Sequence, residues 1–91
     1  MTRALDELIT TLTLEERGPD IFCGRGSQND GADGTYGGHL LGQATAAAIC
    51  AVDEQKKIHS LHAYFLNAGQ PGMPIEYQVE RLRDGRSFCS R

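Results

Sequence analysis

Between Thr35 and Val52 the chain leaves little choice of structure, because two glycines, Gly37 and Gly38, open a run that is almost wholly apolar and small-sided. Leu40, Leu41, Ala44, Ala47, Ala48, Ile49 and Val52 cover most of the circumference at helical spacing. A helix apolar nearly all round is a buried one. Gly42, Gln43 and Thr45 interrupt it, and it falls short of the roughly 20 apolar residues a membrane span needs. Its alanines let neighbouring backbone approach from several sides, so the pattern predicts a central helix wrapped by a sheet.

The opening of that helix carries the chemistry. At Gly37 and Gly38 no side chain covers the first backbone N–H groups, which have no acceptor within the helix and sit at the positive end of its dipole. Such an end can hold a phosphate, a carboxylate or a developing oxyanion. The same pair also serves simply as a tight turn into the helix, and glycine pairs in turns are common. Sequence alone leaves both readings open.

With 91 residues the chain allows one small domain. A net charge of -3 and a pI near 5.5 give no basic field of the kind nucleic acid requires. Arg81, Arg83, Arg86 and Arg91 gather near the end, either as contacts for small-ligand phosphates or, more simply, as a solvated face. Asp6 and Glu7 stand where a secretory signal has its apolar core, so export is not expected. Cys23, Cys50 and Cys89 form no CxxC pair and are odd in number, which argues against a disulfide framework or a zinc site. Cys50, on the central helix, reads as a small core residue. All three fit a reducing, intracellular setting.

Along the chain, Leu5, Leu8, Ile9 and Leu12 have helical spacing and predict a short amphipathic helix within 1–13. Glu15-Glu16-Arg17-Gly18-Pro19 reads as a polar break before a first strand over about Asp20–Gly24. The glycine-rich loop from Gly24 to Gly34 lacks the third glycine of a dinucleotide fingerprint and the Lys-Ser or Lys-Thr of a Walker loop. The central helix is expected over 36–52, with strands through 58–91. Ile58 to Leu66 alternates, which puts His59 and His62 on opposite faces of a strand and removes them as a chelating pair. Ile75 to Leu82 alternates again, a half-buried strand begun after Pro74. Arg83-Asp84-Gly85-Arg86 reads as a hairpin turn with an Asp-Gly signal, and Ser87 to Arg91 begins another strand.

Antiparallel sheet around one helix is an α+β arrangement. At this length it is incomplete: the last strand has an open edge that another segment or chain must cover. Apolar surface should therefore remain exposed.

Three blocks resemble the type II acyl-CoA thioesterases, which carry two hot-dog repeats in one chain: Tyr36-Gly37-Gly38-His39-Leu40-Leu41-Gly42-Gln43-Ala44, His59-Ser60-Leu61-His62-Ala63-Tyr64-Phe65-Leu66 and Arg83-Asp84-Gly85-Arg86-Ser87-Phe88. Their order and spacing are similar to those of the first repeat, with the N-terminal helix and Phe22-Cys23-Gly24-Arg25-Gly26 in support. The likeness covers nearly all 91 residues but about the first third of a full-length member.

The resemblance implies an incomplete hot-dog fold and hydrolysis of fatty acyl-CoA to fatty acid and CoA, with no metal and no organic cofactor. It implies that water is activated by an Asp, a Gln and a Ser or Thr of the second repeat, so no catalytic residue carries over here. Ile58 to Leu66, matching the strand that bears the Asp in that repeat, contains no carboxylate. What does carry over is substrate binding at Gly37, Gly38, His39 and Gln43, with His39 standing where relatives often have Gln. Asn67-Ala68-Gly69 departs from the usual Arg-Pro-Gly. The implied partners are acyl-CoA and either a second hot-dog repeat or another copy, with no nucleic acid and no membrane span. The implied location is cytoplasmic, or peroxisomal in a eukaryote.

A non-catalytic hot-dog half that dimerises or binds acyl-CoA is the alternative, and a carboxylate near the helix opening separates the two. Asp33 and Asp84 are the candidates, both with the look of turn acids. A cysteine hydrolase built on Cys23 or Cys89 would need a thiol of lowered pKa beside a base, and the spacing offers none.

Overall fold

The computed structural model describes residues 3–26, 37–67 and 72–91. Helix α1 spans Arg3–Leu12 and helix α2 Gly37–Cys50; the strands are β1 (Glu15–Gly18), β2 (Ile21–Gly24), β3 (Ile75–Gln78), β4 (Arg83–Asp84) and β5 (Cys89–Ser90). The antiparallel sheet β1-β2-β3 supports α2, and β4 and β5 form a separate hairpin.

The polar stretch Glu15–Pro19, expected as a break, is in fact mostly strand: β1 pairs with β2 through Glu15↔Cys23, Glu16↔Phe22 and Gly18↔Ile21, with a bulge at Arg17. Charged side chains suit it because it is an edge, where they discourage further pairing. The two strands join through Pro19 and Asp20. Asp20 lies in the left-handed region at φ 58°, so the turn combines a proline at its first central position with a positive φ at its second. Arg81 grips this turn with Nε 2.7 Å and an Nη 3.1 Å from the two Asp20 carboxylate oxygens.

β2 in turn pairs with β3 from Ile21↔Gln78 to Gly24↔Ile75. The half-buried alternation appears as expected, Ile75, Tyr77 and Val79 inward and Glu76, Gln78 and Glu80 out, although the strand itself stops at Gln78. Val79 N–H extends the connection to the Asp20 carbonyl at 2.8 Å.

α2 runs from Gly37 to Cys50, two residues short of the expected end at Val52, and it is not enclosed. Of its residues only Gln43 and Ala47 are buried, joined by Ala51 just beyond, and Ile49 stands 53% exposed. Among the described residues, sheet and α1 cover one side of the helix and leave the other to a groove. Cys50, read from sequence as a core residue, is exposed on the last turn of the helix, although Ala51 beside it is buried.

Ile58 to Leu66 differs most from expectation. It belongs to no strand, and each of its residues is exposed. An alternating pattern forms a strand only when a neighbouring backbone completes the ladder, and no described segment pairs with it: the last hairpin meets it through side chains, with the His59 and Phe88 ring centres 5.6 Å apart. The expected apolar exposure is therefore present, in Ile58, Leu61, Tyr64, Phe65 and Leu66 and also along α1 at Leu5, Leu8, Ile9 and Leu12.

The last hairpin is displaced by two residues from its sequence reading. Arg83 and Asp84 pair with Ser90 and Cys89, and the chain reverses through Gly85–Phe88, closed by Gly85 N–H on the Phe88 carbonyl at 2.7 Å. Arg91 binds this hairpin to the end of α2. Its guanidinium reaches the Ala51 carbonyl at 3.0 Å, the Arg83 carbonyl at 3.2 Å and Asp84 Oδ1 at 2.6 Å. A cation at the negative end of a helix is favourably placed.

The arginine hydrogen bonds hold the Asp20 and Asp84 carboxyls below their ordinary value of 3.8. A carboxyl lowered in the folded state adds stability above its unfolded pKa and loses it as pH falls through the folded one. Thermal melts should therefore weaken as pH drops from about 5 to 3. Asp20→Asn and Asp84→Asn should each remove part of that acid dependence, and a variant as acid-sensitive as the parent would dismiss the pair it tests.

Candidate functional site at the opening of helix α2

Four residues singled out from sequence lie along the first two turns of α2. Gly37 has the Phe65 ring about 3.5 Å from where a Cβ would stand, and Gly38 is exposed. His39 Nε2 lies 2.7 Å from the Arg25 carbonyl. Since a carbonyl only accepts, Nε2 carries the proton and donates it.

Gln43 follows one turn later on the same side of the helix and has no exposed surface at all. Its Nε2 donates to the Thr11 carbonyl and to the Arg25 carbonyl, both at 2.9 Å, and its Oε1 accepts from the Tyr77 hydroxyl at 2.8 Å. Both amide hydrogens and the carbonyl are therefore engaged. This one carboxamide ties α2 to the last turn of α1, to the backbone leaving β2, and to β3. The Arg25 carbonyl receives two donors, from residues four apart on α2.

Room for this tie comes from Gly24. A Cβ there would sit 2.5 Å from Gln43 Oε1 and 2.7 Å from Nε2, and the carboxamide, bonded on every side, has nowhere to go. Burial pushes the Tyr77 phenol up to about 12, with Cys23 adding to the shift. The hydroxyl accordingly keeps its proton, and its role as donor to Gln43, across the physiological range.

Sequence reasoning found His39 and Gln43 but missed Gly24, the Arg25 carbonyl and Tyr77. The available signal was a pair of polar residues, four apart, on a helix otherwise apolar on that side. Asp33 lies outside the described residues, as do the rest of 27–36 and the turn expected at Ala68 and Gly69. Asp84 sits in the far hairpin, held by Arg91. Along the open side of α2 runs a groove of about 590 Å³, between Leu41 and Ala48 on the helix, Val52 just beyond it, and Ile58, Leu61 and Phe88 opposite. Among the described residues no group of three His, Cys, Asp or Glu could hold a metal ion, and no helix is long and apolar enough to cross a membrane.

A helix opened by two glycines, backed by antiparallel sheet and only partly wrapped by it, defines an α+β protein of the hot-dog class. More narrowly, the chain belongs to the family described as the acyl-CoA thioesterase N-terminal domain, which matches residues 25–91. It is 47% identical over 85 residues to acyl-coenzyme A thioesterase 8 of Homo sapiens, a match covering 92% of this chain and 26% of that protein. It is 43% identical over 90 residues to acyl-CoA thioesterase 2 of Haemophilus influenzae, covering 99% of this chain and 31% of the relative. Against the peroxisomal acyl-coenzyme A thioester hydrolase 1 of Saccharomyces cerevisiae it is 41% identical over 61 residues, 67% of this chain and 18% of the relative. The chain thus spans about a quarter to a third of the length of the first two relatives.

Proposed function

We propose that this chain is the N-terminal part of a first hot-dog repeat in an acyl-CoA thioesterase, which hydrolyses fatty acyl-CoA to free fatty acid and CoA. Water adds to the thioester carbonyl, the carbon–sulfur bond breaks, and CoA leaves as a thiolate that takes up a proton. The observation that carries the reading is the opening of α2, where Gly38 is exposed and the first two residues of the helix have no side chains of their own to cover their amides. Backbone N–H groups so placed suit the oxyanion that forms as water adds. Gly37 and Gly38 supply those amides, His39 borders them, and Gln43 serves from behind by holding the frame. A second repeat provides the acid and base that activate water. The partner on the open side of the chain is that repeat or another hot-dog copy. The protein works in the cytoplasm, or in the peroxisome of a eukaryote, where the name of the yeast relative puts that protein.

The test compares lauroyl-CoA hydrolysis by the 91 residues alone with hydrolysis by a chimera in which they replace the matching part of the Haemophilus relative. CoA release is read against a blank for the three native thiols. Activity in the chimera alone is the expected result and assigns the general base to the second repeat. Turnover by the isolated chain would overturn that division and direct attention to Asp33 and Asp84. A chimera that binds a thioether analogue without hydrolysing the thioester favours the non-catalytic alternative.

A further inference from the structure

We infer that Gln43 and Tyr77 are positioning residues for the helix opening, acting through the Arg25 carbonyl and His39. The inference rests on the proposed hydrolysis at that opening. Three observations carry it. Gln43 is wholly buried, yet its hydrogen bonds run to three elements distant in sequence. The Arg25 carbonyl is held jointly by Gln43 at 2.9 Å and His39 at 2.7 Å. And the Tyr77 hydroxyl, 2.8 Å from Gln43 Oε1, pairs the carboxamide oxygen that faces away from both carbonyls.

The last point decides the roles. A buried primary amide can turn over and exchange its oxygen for its nitrogen. Turned over, Gln43 would present Oε1 to two carbonyls, acceptor against acceptor, and Nε2 to a hydroxyl that also has lone pairs. The two carbonyls, which only accept, therefore set the orientation, and the Tyr77 hydroxyl pairs the oxygen opposite and keeps the carboxamide seated against them. Arg25 in its place fixes the His39 ring, two residues into the helix. The position of the first amides of α2 relative to β2 therefore follows from one carboxamide and one phenol.

Tyr77→Phe keeps the ring and removes the donor to Gln43 Oε1, which frees the carboxamide to shift and loosens its hold on the Arg25 carbonyl while leaving the helix opening itself unmutated. In the chimera, Tyr77→Phe is expected to lower kcat about tenfold with KM within about twofold, since a displaced donor weakens the transition state more than the bound substrate. Affinity for the thioether analogue of lauroyl-CoA should be unchanged. Gln43→Glu provides an independent readout. Burial and the facing carbonyl oxygens disfavour the introduced carboxylate and raise its pKa, so kcat for this variant should fall as pH rises through that value while the parent shows no such limb.

If Tyr77→Phe lowers only the melting temperature and leaves kcat of the folded enzyme intact, Gln43 and Tyr77 are supports and the inference fails. It fails equally if the Gln43→Glu profile matches the parent's. A parent chimera with no hydrolysis at all overturns the proposed function, and this inference with it.

Discussion

Replacing Gln43 by methionine is expected to destabilise the α1–β2–α2 unit by ~3–5 kcal/mol, since it keeps the volume of the side chain and removes every polar atom that pairs its three part-buried partners. The Thr11 and Arg25 carbonyls and the Tyr77 hydroxyl would lose the Gln43 group that now pairs them. A stranded group costs about 1–3 kcal/mol when buried, and the partial exposure of these three partners, with recovery through His39, keeps the sum toward the low end. Amide hydrogen exchange on the chimera reads the change locally, where ~1.4 kcal/mol is a factor of ten in protection. Amides of α2 and β2 should lose about two to three and a half decades, and those of the β4–β5 hairpin should be little affected. Gly24→Ala attacks the same tie from outside, by placing a methyl against the carboxamide, at a cost of about 1–3 kcal/mol. The two changes together should cost less than their sum, because once the carboxamide is gone the methyl has a softer neighbour. Strict additivity would place the Gly24 requirement elsewhere.

Much of this fold is legible from residue pattern, and the failures share a cause. α1 shows in the spacing of Leu5, Leu8, Ile9 and Leu12, α2 in its small apolar run, and β3 in the alternation of Ile75, Tyr77 and Val79; each of these depends on local periodicity. β1 does not show, because Glu15-Glu16-Arg17 has no apolar face and becomes strand only by pairing with β2. Ile58 to Leu66 errs in the opposite direction: the pattern is present and the pairing backbone is not among the described residues. The site divides in the same way. Paired glycines with His39 and Gln43 beside them are visible in the sequence, whereas the partners of Gln43 lie 32, 18 and 34 residues away and include two backbone carbonyls that no sequence pattern marks.

The isolated 91-residue chain is expected to self-associate at micromolar concentration, and the physical grounds lie on its open side. Tyr64 and Leu66 are 82% and 85% exposed, Leu61 and Ile49 more than half, and the backbone from Ile58 to Leu66 takes part in no ladder among the described residues. Apolar side chains beside unpaired strand-forming backbone invite edge-to-edge association. The groove along α2 adds a second apolar surface that an intruding strand could cover. Sedimentation over a range of concentrations should show a mass rising well above that of the 9.9 kDa monomer. Leu61→Lys together with Leu66→Lys should shift the distribution toward monomer, because charge on such a segment opposes stacking. Adding the remainder of the Haemophilus relative should suppress association more completely, since it covers backbone and side chains together. A concentration-independent monomer with a cooperative melt would count against an incompletely wrapped hot-dog, for it would mean that α2 and the sheet β1-β2-β3 bury enough surface by themselves.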